Sequence, residues 1–120
     1  MPFIADVVFD SGLTTLDTNG TRIDICSVEP TTYAGATSTS TLGNAAVNTG
    51  APLDGAVDGR RVIVPAVTAG TVTGTGTAAF WALTNGSTTL YATGALSASQ
   101  VVTSGNTFSL DAISITIRDV

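Results

Sequence analysis

A period of two near the C-terminus most constrains the fold of this chain. Ile113, Ile115 and Ile117 alternate with Ser114, Thr116 and Arg118, a pattern that a strand buries on one face and a helix cannot. Burial of each isoleucine contributes roughly 1.5–3 kcal/mol. Thr107-Phe108-Ser109-Leu110 alternates in the same way just before it, with Gly105-Asn106 as the turn. Arg61-Val62-Ile63-Val64 is a β-branched run stopped at Pro65. Thr71-Val72-Thr73 continues through Gly74 and Gly76 into Ala78-Ala79-Phe80-Trp81-Ala82-Leu83. Asn85-Gly86 then separates this run from Thr88-Thr89-Leu90-Tyr91-Ala92, and Asn-Gly between apolar runs is a strong hairpin signal because both residues tolerate positive φ. A two-residue turn would set Trp81 opposite Leu90 and Phe80 opposite Tyr91. One more loop residue would pair Trp81 with Tyr91, and the sequence leaves both registers open.

The N-terminal half is less regular. Arg22-Ile23-Asp24-Ile25-Cys26 alternates after an Asn19-Gly20 turn, and Pro30 ends the region that follows. Residues 33–59 are rich in Ala, Gly, Thr, Asn and Asp, which predicts a long loop region with one short strand near Thr39–Leu42. A loop of that length is usually functional or covered by a partner. Residues 1–10 form an N-terminal arm or a short turn of helix, since Phe3, Ile4, Val7 and Val8 have helix-compatible spacing. The chain of 120 residues suits one domain, residues 1–120. The fold class expected is all-β: a single-domain antiparallel β-sandwich, with a jelly roll as one form of it.

Charge narrows the function classes. Only 11% of residues are charged, there is no Lys or His, and the net charge is −5. Four scattered arginines build no strong phosphate-binding patch, so nucleic acid is not an expected partner. No run approaches the ~20 apolar residues of a membrane span, and the N-terminus lacks a basic region followed by a long apolar one, so no targeting signal is read there. With 22 Thr and 10 Ser, hydroxyls wet much of the surface. Such a surface costs less to desolvate than a charged one, as in the cores of protein interfaces. The blander alternative is an extracellular domain with a Ser/Thr-rich coat.

No catalytic constellation emerges. Without His the usual base for a Ser or Cys nucleophile is missing, and Lys-based alternatives are excluded. The carboxylate pairs are Asp54 with Asp58, Asp6 with Asp10 and Asp17 with Asp24, and two aspartates four apart in a Gly-rich loop, as at Asp54 and Asp58, could hold Ca²⁺ through oxygen ligands. Asp54-Gly55 and Asp58-Gly59 read more simply as solvated turns, so no metal or cofactor is expected. Cys26 reads as a small strand or core residue, since a reactive thiol needs positive charge nearby. Gly74-Thr75-Gly76 lacks the Gly-Lys-Ser/Thr and helix of a phosphate loop. The sequons at Asn19 and Asn85 are read as turns. Trp81 is read as core in preference to an interface anchor. Arg60-Arg61 is either a dock for an acidic partner or a solvated strand entrance.

Three stretches carry a resemblance when taken together: Asp24-Ile25-Cys26-Ser27-Val28-Glu29-Pro30-Thr31-Thr32-Tyr33, Phe80-Trp81-Ala82-Leu83-Thr84-Asn85-Gly86 and Ala92-Thr93-Gly94-Ala95-Leu96. In this order and spacing the chain resembles small virion proteins of tailed bacteriophages. That resemblance implies a capsid decoration or cement protein, made in the host cytoplasm and resident on the capsid surface, with no catalytic residues. Its partners would be the major capsid protein or another virion protein, and further copies of itself in a homo-oligomer. The expected contact residues are Phe3, Ile4, Val7, Val8, Arg60 and Arg61, together with the 33–59 region. A tail, neck or head-fibre component is the alternative, and a host-surface carbohydrate-binding module a more distant one, since one Trp and two Tyr give little material for an aromatic platform.

Overall fold

The structure is a computed structural model that describes residues 6–54 and 59–117. Within them the chain is mostly strand, and every ladder is antiparallel. The elements are α1 (Asp6–Asn19), β1 (Arg22–Cys26), a π-helical turn (Gly35–Thr39), β2 (Thr41–Ala46), β3 (Leu53–Asp54), β4 (Arg60–Val64), β5 (Val67–Val72), β6 (Gly76–Thr84), β7 (Leu90–Val102), β8 (Thr107–Leu110) and β9 (Ile113–Ile117). Six strands form one sheet in the order β7-β6-β1-β2-β5-β8, and a second sheet has the order β3-β4-β9. The all-β, sandwich-like class is therefore as the alternating pattern requires.

The larger sheet curls until its two edge strands approach each other. Gln100 Nε2 on β7 donates to the Ser109 carbonyl on β8 at 2.9 Å. The concave face holds the core. Ile23 and Ile25 of β1 stand beside Leu83 and Trp81 of β6, and all four are buried with Val72, Phe108 and Leu110. In the second sheet Val62 pairs with Ile115 and Val64 with Ile113. Ile113 and Ile115 pack against the main core, whereas Ser114 and Thr116 are exposed. The period-two reading of this strand thus holds at the positions described; the side chain of Ile117 lies outside them.

Three local expectations are corrected. First, the β6–β7 hairpin takes neither register read from Asn85-Gly86: Thr84 pairs with Leu90, Leu83 with Ala92 and Trp81 with Gly94. Asn85 Oδ1 accepts the N–H groups of Ser87, Thr88 and Thr89 at 3.0, 2.8 and 3.0 Å. That side-chain cap stabilises a wider loop than a two-residue turn.

Second, residues 6–10 are not a free arm but the start of a helix that runs on to Asn19. Ser11, Gly12, Thr14 and Thr15 are weak helix formers, and tertiary packing overrides that weakness. Leu13 is fully buried and Leu16 packs on the core. The helix closes at Gly20, whose N–H donates to the Leu16 carbonyl at 2.8 Å. A Cβ on Gly20 would lie 2.7 Å from that carbonyl oxygen, so glycine is required by close approach.

Third, residues 33–54 carry more structure than a long loop with one short strand. They contain the π-helical turn, β3 and β2, and β2, which begins within the Thr39–Leu42 stretch where the short strand was expected, sits between β1 and β5 in the middle of the larger sheet. Its composition, Thr-Leu-Gly-Asn-Ala-Ala, lacks the bulky apolar residues that mark strands. Neighbours on both sides hold it instead, and Gly43 lets β5 come close, since a Cβ there would meet Val72 Cα at 3.1 Å.

Candidate interaction surfaces

The convex face of the larger sheet carries an ionic network rather than an open site. On β1, Arg22, Asp24 and Cys26 point away from Ile23 and Ile25. Arg22 Nε donates to Asp24 Oδ1 at 2.7 Å and Arg22 Nη2 to Asp24 Oδ2 at 2.9 Å. Thr41 Oγ1 donates to the same Oδ2 at 2.7 Å. Asp24 is fully buried, and a buried carboxylate is tolerated only when paired and hydrogen-bonded in this way. The hydrogen bond to Asp24 raises the pKa of Arg22. Asp24 is thus committed to Arg22 and Thr41 and does not act as a pair with Asp17.

Cys26 packs with Ala36 and Ala82 in a small cluster flanked by Phe80 and Leu90. Burial pushes its thiol up to about 12, helped by the negative charge of Asp24. The thiolate that nucleophilic chemistry requires is therefore suppressed, and Cys26 is the space-filling strand residue expected from its alternation.

A second ionic cluster joins α1, β3 and β4. Arg60 Nε donates to Asp10 Oδ1 at 2.8 Å and Arg60 Nη2 to Asp10 Oδ2 at 3.2 Å. Arg60 Nη1 donates to Asp54 Oδ1 at 2.7 Å. These bonds, to Asp10 first and Asp54 second, push the Arg60 pKa further up. The guanidinium stands where a cation between these carboxylates would sit. Arg60 is accordingly neither a solvated strand entrance nor a free dock; its charge is taken up within the chain. Among the described residues no group of three or more metal-ligating side chains converges.

The other expected contact residues are dispersed. Phe3 and Ile4 lie outside the described residues, as do Asp58 and the side chain of Val7. Val8 projects from α1 and is 60% exposed. Arg61 is half-buried on β4, and its Nε has no hydrogen-bond partner among the described residues. Val28 and Val101 are further exposed apolar side chains, which the sequence reading missed because each sits in a polar stretch without periodicity.

Two clefts remain. One, of about 400 Å³, lies where the sheet edges approach, between the bulged part of β7 (Leu96 to Gln100) and the Ser109–Ile113 segment, with Trp81 at its base. Trp81 itself is 9% exposed and belongs to the core. The other, of about 670 Å³, lies between β2 and β5 and is lined by alanine and valine together with Asn44, Asn48, Thr68 and Thr71. No helix among the described residues is long and apolar enough to cross a membrane. The chain matches no protein-family model, no curated protein and no solved structure.

Proposed function

We propose that this protein is a structural component of a tailed-bacteriophage virion, a capsid decoration protein that binds the assembled head and bridges neighbouring capsid subunits. The observation that carries this reading is the inward use of charge. Of the three arginines among the described residues, Arg22 is spent on Asp24 and Arg60 on Asp10 and Asp54. What faces outward is dominated by hydroxyls and small side chains, with single apolar residues such as Val8, Val28 and Val101 and a few separate carboxylates at Glu29, Asp54 and Asp111. A surface of this kind is desolvated cheaply over a broad area, which suits docking on another protein better than recognition of a small charged substrate. The resemblance to phage virion proteins supports the same reading.

The mechanism is mechanical. A protein that binds only the assembled shell stabilises that shell by mass action, and expansion under the pressure of packaged DNA must first break the bridging contacts. The test is to add purified protein to heads assembled without it. Binding is expected to saturate at a fixed number of copies per head, to place density over the joints between capsid subunits in electron micrographs, and to raise the temperature at which heads release DNA. Density at the tail or neck, or no binding to heads, overturns the proposal.

A further inference from the structure

Trp81 carries a polar group for which the fold provides no partner. The residue is only 9% exposed, and a buried indole N–H ordinarily finds an acceptor. Trp81 makes no hydrogen bond among the described residues, yet its Nε1 is not sealed off from solvent. The indole nitrogen lies over Gly94, 2.7 Å from where a Cβ would stand. The next two residues, Ala95 and Leu96, begin the wall of the cleft of about 400 Å³ that has Trp81 at its base. The cleft is where this residue meets solvent, so the donor is presented there.

The cleft exists because β7 leaves its ladder. Ala95 pairs with Phe80 and Gln100 with Ala78, so Ala79 of β6 stands against the whole stretch from Leu96 to Ser99. Bulges re-aim side chains and recur beside functional sites, and this one faces the Ser109–Ile113 segment across the cleft.

The lining selects by charge and polarity. Leu96, Leu110 and Ile113 give the cleft an apolar side, and Gln100, Ser109 and Asp111 a polar one. No arginine lines it, so an anion would meet the Asp111 carboxylate without a counter-charge. A simple cation has no use for the indole N–H, which is a donor only and lies at the positive edge of the ring. The matching ligand is uncharged. It offers an acceptor to Trp81 Nε1 and donors to Asp111 and to Gln100 Oε1, and it turns C–H groups toward the aliphatic side. Hydroxyl groups on a saturated ring do all three. An extended peptide also carries donors and acceptors, but as an added strand it would need the edge of β8, where Gln100 Nε2 already holds the Ser109 carbonyl at 2.9 Å.

We propose that this cleft binds a neutral saccharide, one pyranose ring of a glycan. Its volume of about 400 Å³ lies within the roughly 300–1,000 Å³ of small-molecule sites. No flat aromatic platform is involved: the edge of one indole donates, and aliphatic side chains take the apolar face of the sugar. The site goes beyond the virion reading and does not depend on it, because purified protein alone displays it.

Trp81 is the sole tryptophan, so its emission reports on the cleft directly. The methyl glycosides of glucose, galactose, mannose and N-acetylglucosamine are titrated into the full chain up to about 100 mM, with amide shifts recorded alongside. At least one is expected to give a saturable change in emission and shifts centred on residues 95–100 and 109–113. Asp111→Ala, at an exposed position, should keep the fold and weaken that binding at least about tenfold, since a hydrogen bond to a charged group is lost. Trp81→Phe removes the indole donor and should weaken binding read by amide shifts; if that variant fails to fold, the Asp111 variant decides. No saturable response to any of these glycosides, undiminished binding by Asp111→Ala, or shifts that map elsewhere overturns the proposal. Saturation by an extended peptide of alternating valine and threonine, and by none of the glycosides, overturns the choice of ligand.

Discussion

Two cross-strand pairs show how single residues set the curl of the larger sheet. Trp81 lies directly across from Gly94, and Phe108 across from Gly70. In each pair the ring occupies the space where the glycine's side chain would be. A Cβ on Gly94 would lie 2.7 Å from the Trp81 indole nitrogen, and one on Gly70 would clash with the Phe108 ring. Gly94→Ala is expected to cost about 1–3 kcal/mol by overpacking, read as a shift of the urea midpoint. Gly74→Ala should leave the midpoint near wild type, because the nearest atom its Cβ would meet is Leu42 Cδ2 at an ordinary 3.4 Å. Equal effects at the two positions would show that ring-over-glycine packing is not what the sheet depends on. Cys26 makes a separate prediction. Its folded thiol titrates at about 12, above the ordinary value of 9.0, so between those values the unfolded chain holds fewer protons than the folded one. Stability then falls as pH rises through that window. Cys26→Ala should remove this part of the loss, which denaturation curves of both proteins across the same alkaline range would reveal, with Tyr33 and Tyr91 common to both.

At the scale of elements, legibility followed side-chain size. β8 and β9 were readable because Phe108, Leu110, Ile113 and Ile115 alternate with small polar residues, and the structure buries that face. Ile115→Asp should therefore abolish soluble folding by burying an unpaired charge, while Thr116→Asp, on the exposed face, should be tolerated; equal tolerance of both in a solubility assay would mean the faces are misassigned. β2 was only partly legible, because its place in the middle of the sheet rests on the absence of bulk at Gly43 and the pairing of neighbours on both sides. The helix from Asp6 to Asn19 was legible only as a short turn at its start, one of two alternatives there, because its middle is Ser, Gly and Thr and what holds it lies far away in sequence: Arg60, bonded to Asp10 across fifty positions. No local pattern encodes such a pair. The Arg60 cluster also predicts an asymmetry. Asp10 takes two bonds from Arg60 and is 33% exposed, whereas Asp54 takes one and is 87% exposed. Exposed pairs contribute little, so Asp10→Asn should lower amide-exchange protection across residues 11–19 and Asp54→Asn should leave it nearly unchanged.

For the molecule as a whole, the decisive property is where its few charges go. A net charge of −5 on 120 residues would ordinarily make association with a charged partner sensitive to salt, since exposed charges further apart than about 10 Å are screened at 0.1 M. Here Arg22 and Arg60 form ion pairs within the chain, Asp24 is fully buried, and Asp10 is partly shielded against Arg60. Internal pairs do not steer a partner, and partly buried ones are screened less than exposed ones. If docking on a capsid proceeds through hydroxyls, small side chains and isolated valines, its affinity has little electrostatic component to lose. Binding of the purified protein to heads should then change by less than about threefold between low and high salt, where charge-driven association loses orders of magnitude in rate over the same range. A steep fall in head binding with salt would move the docking surface to the acidic side chains that remain outward. Glu29 and Asp111, both exposed, would be the first to substitute.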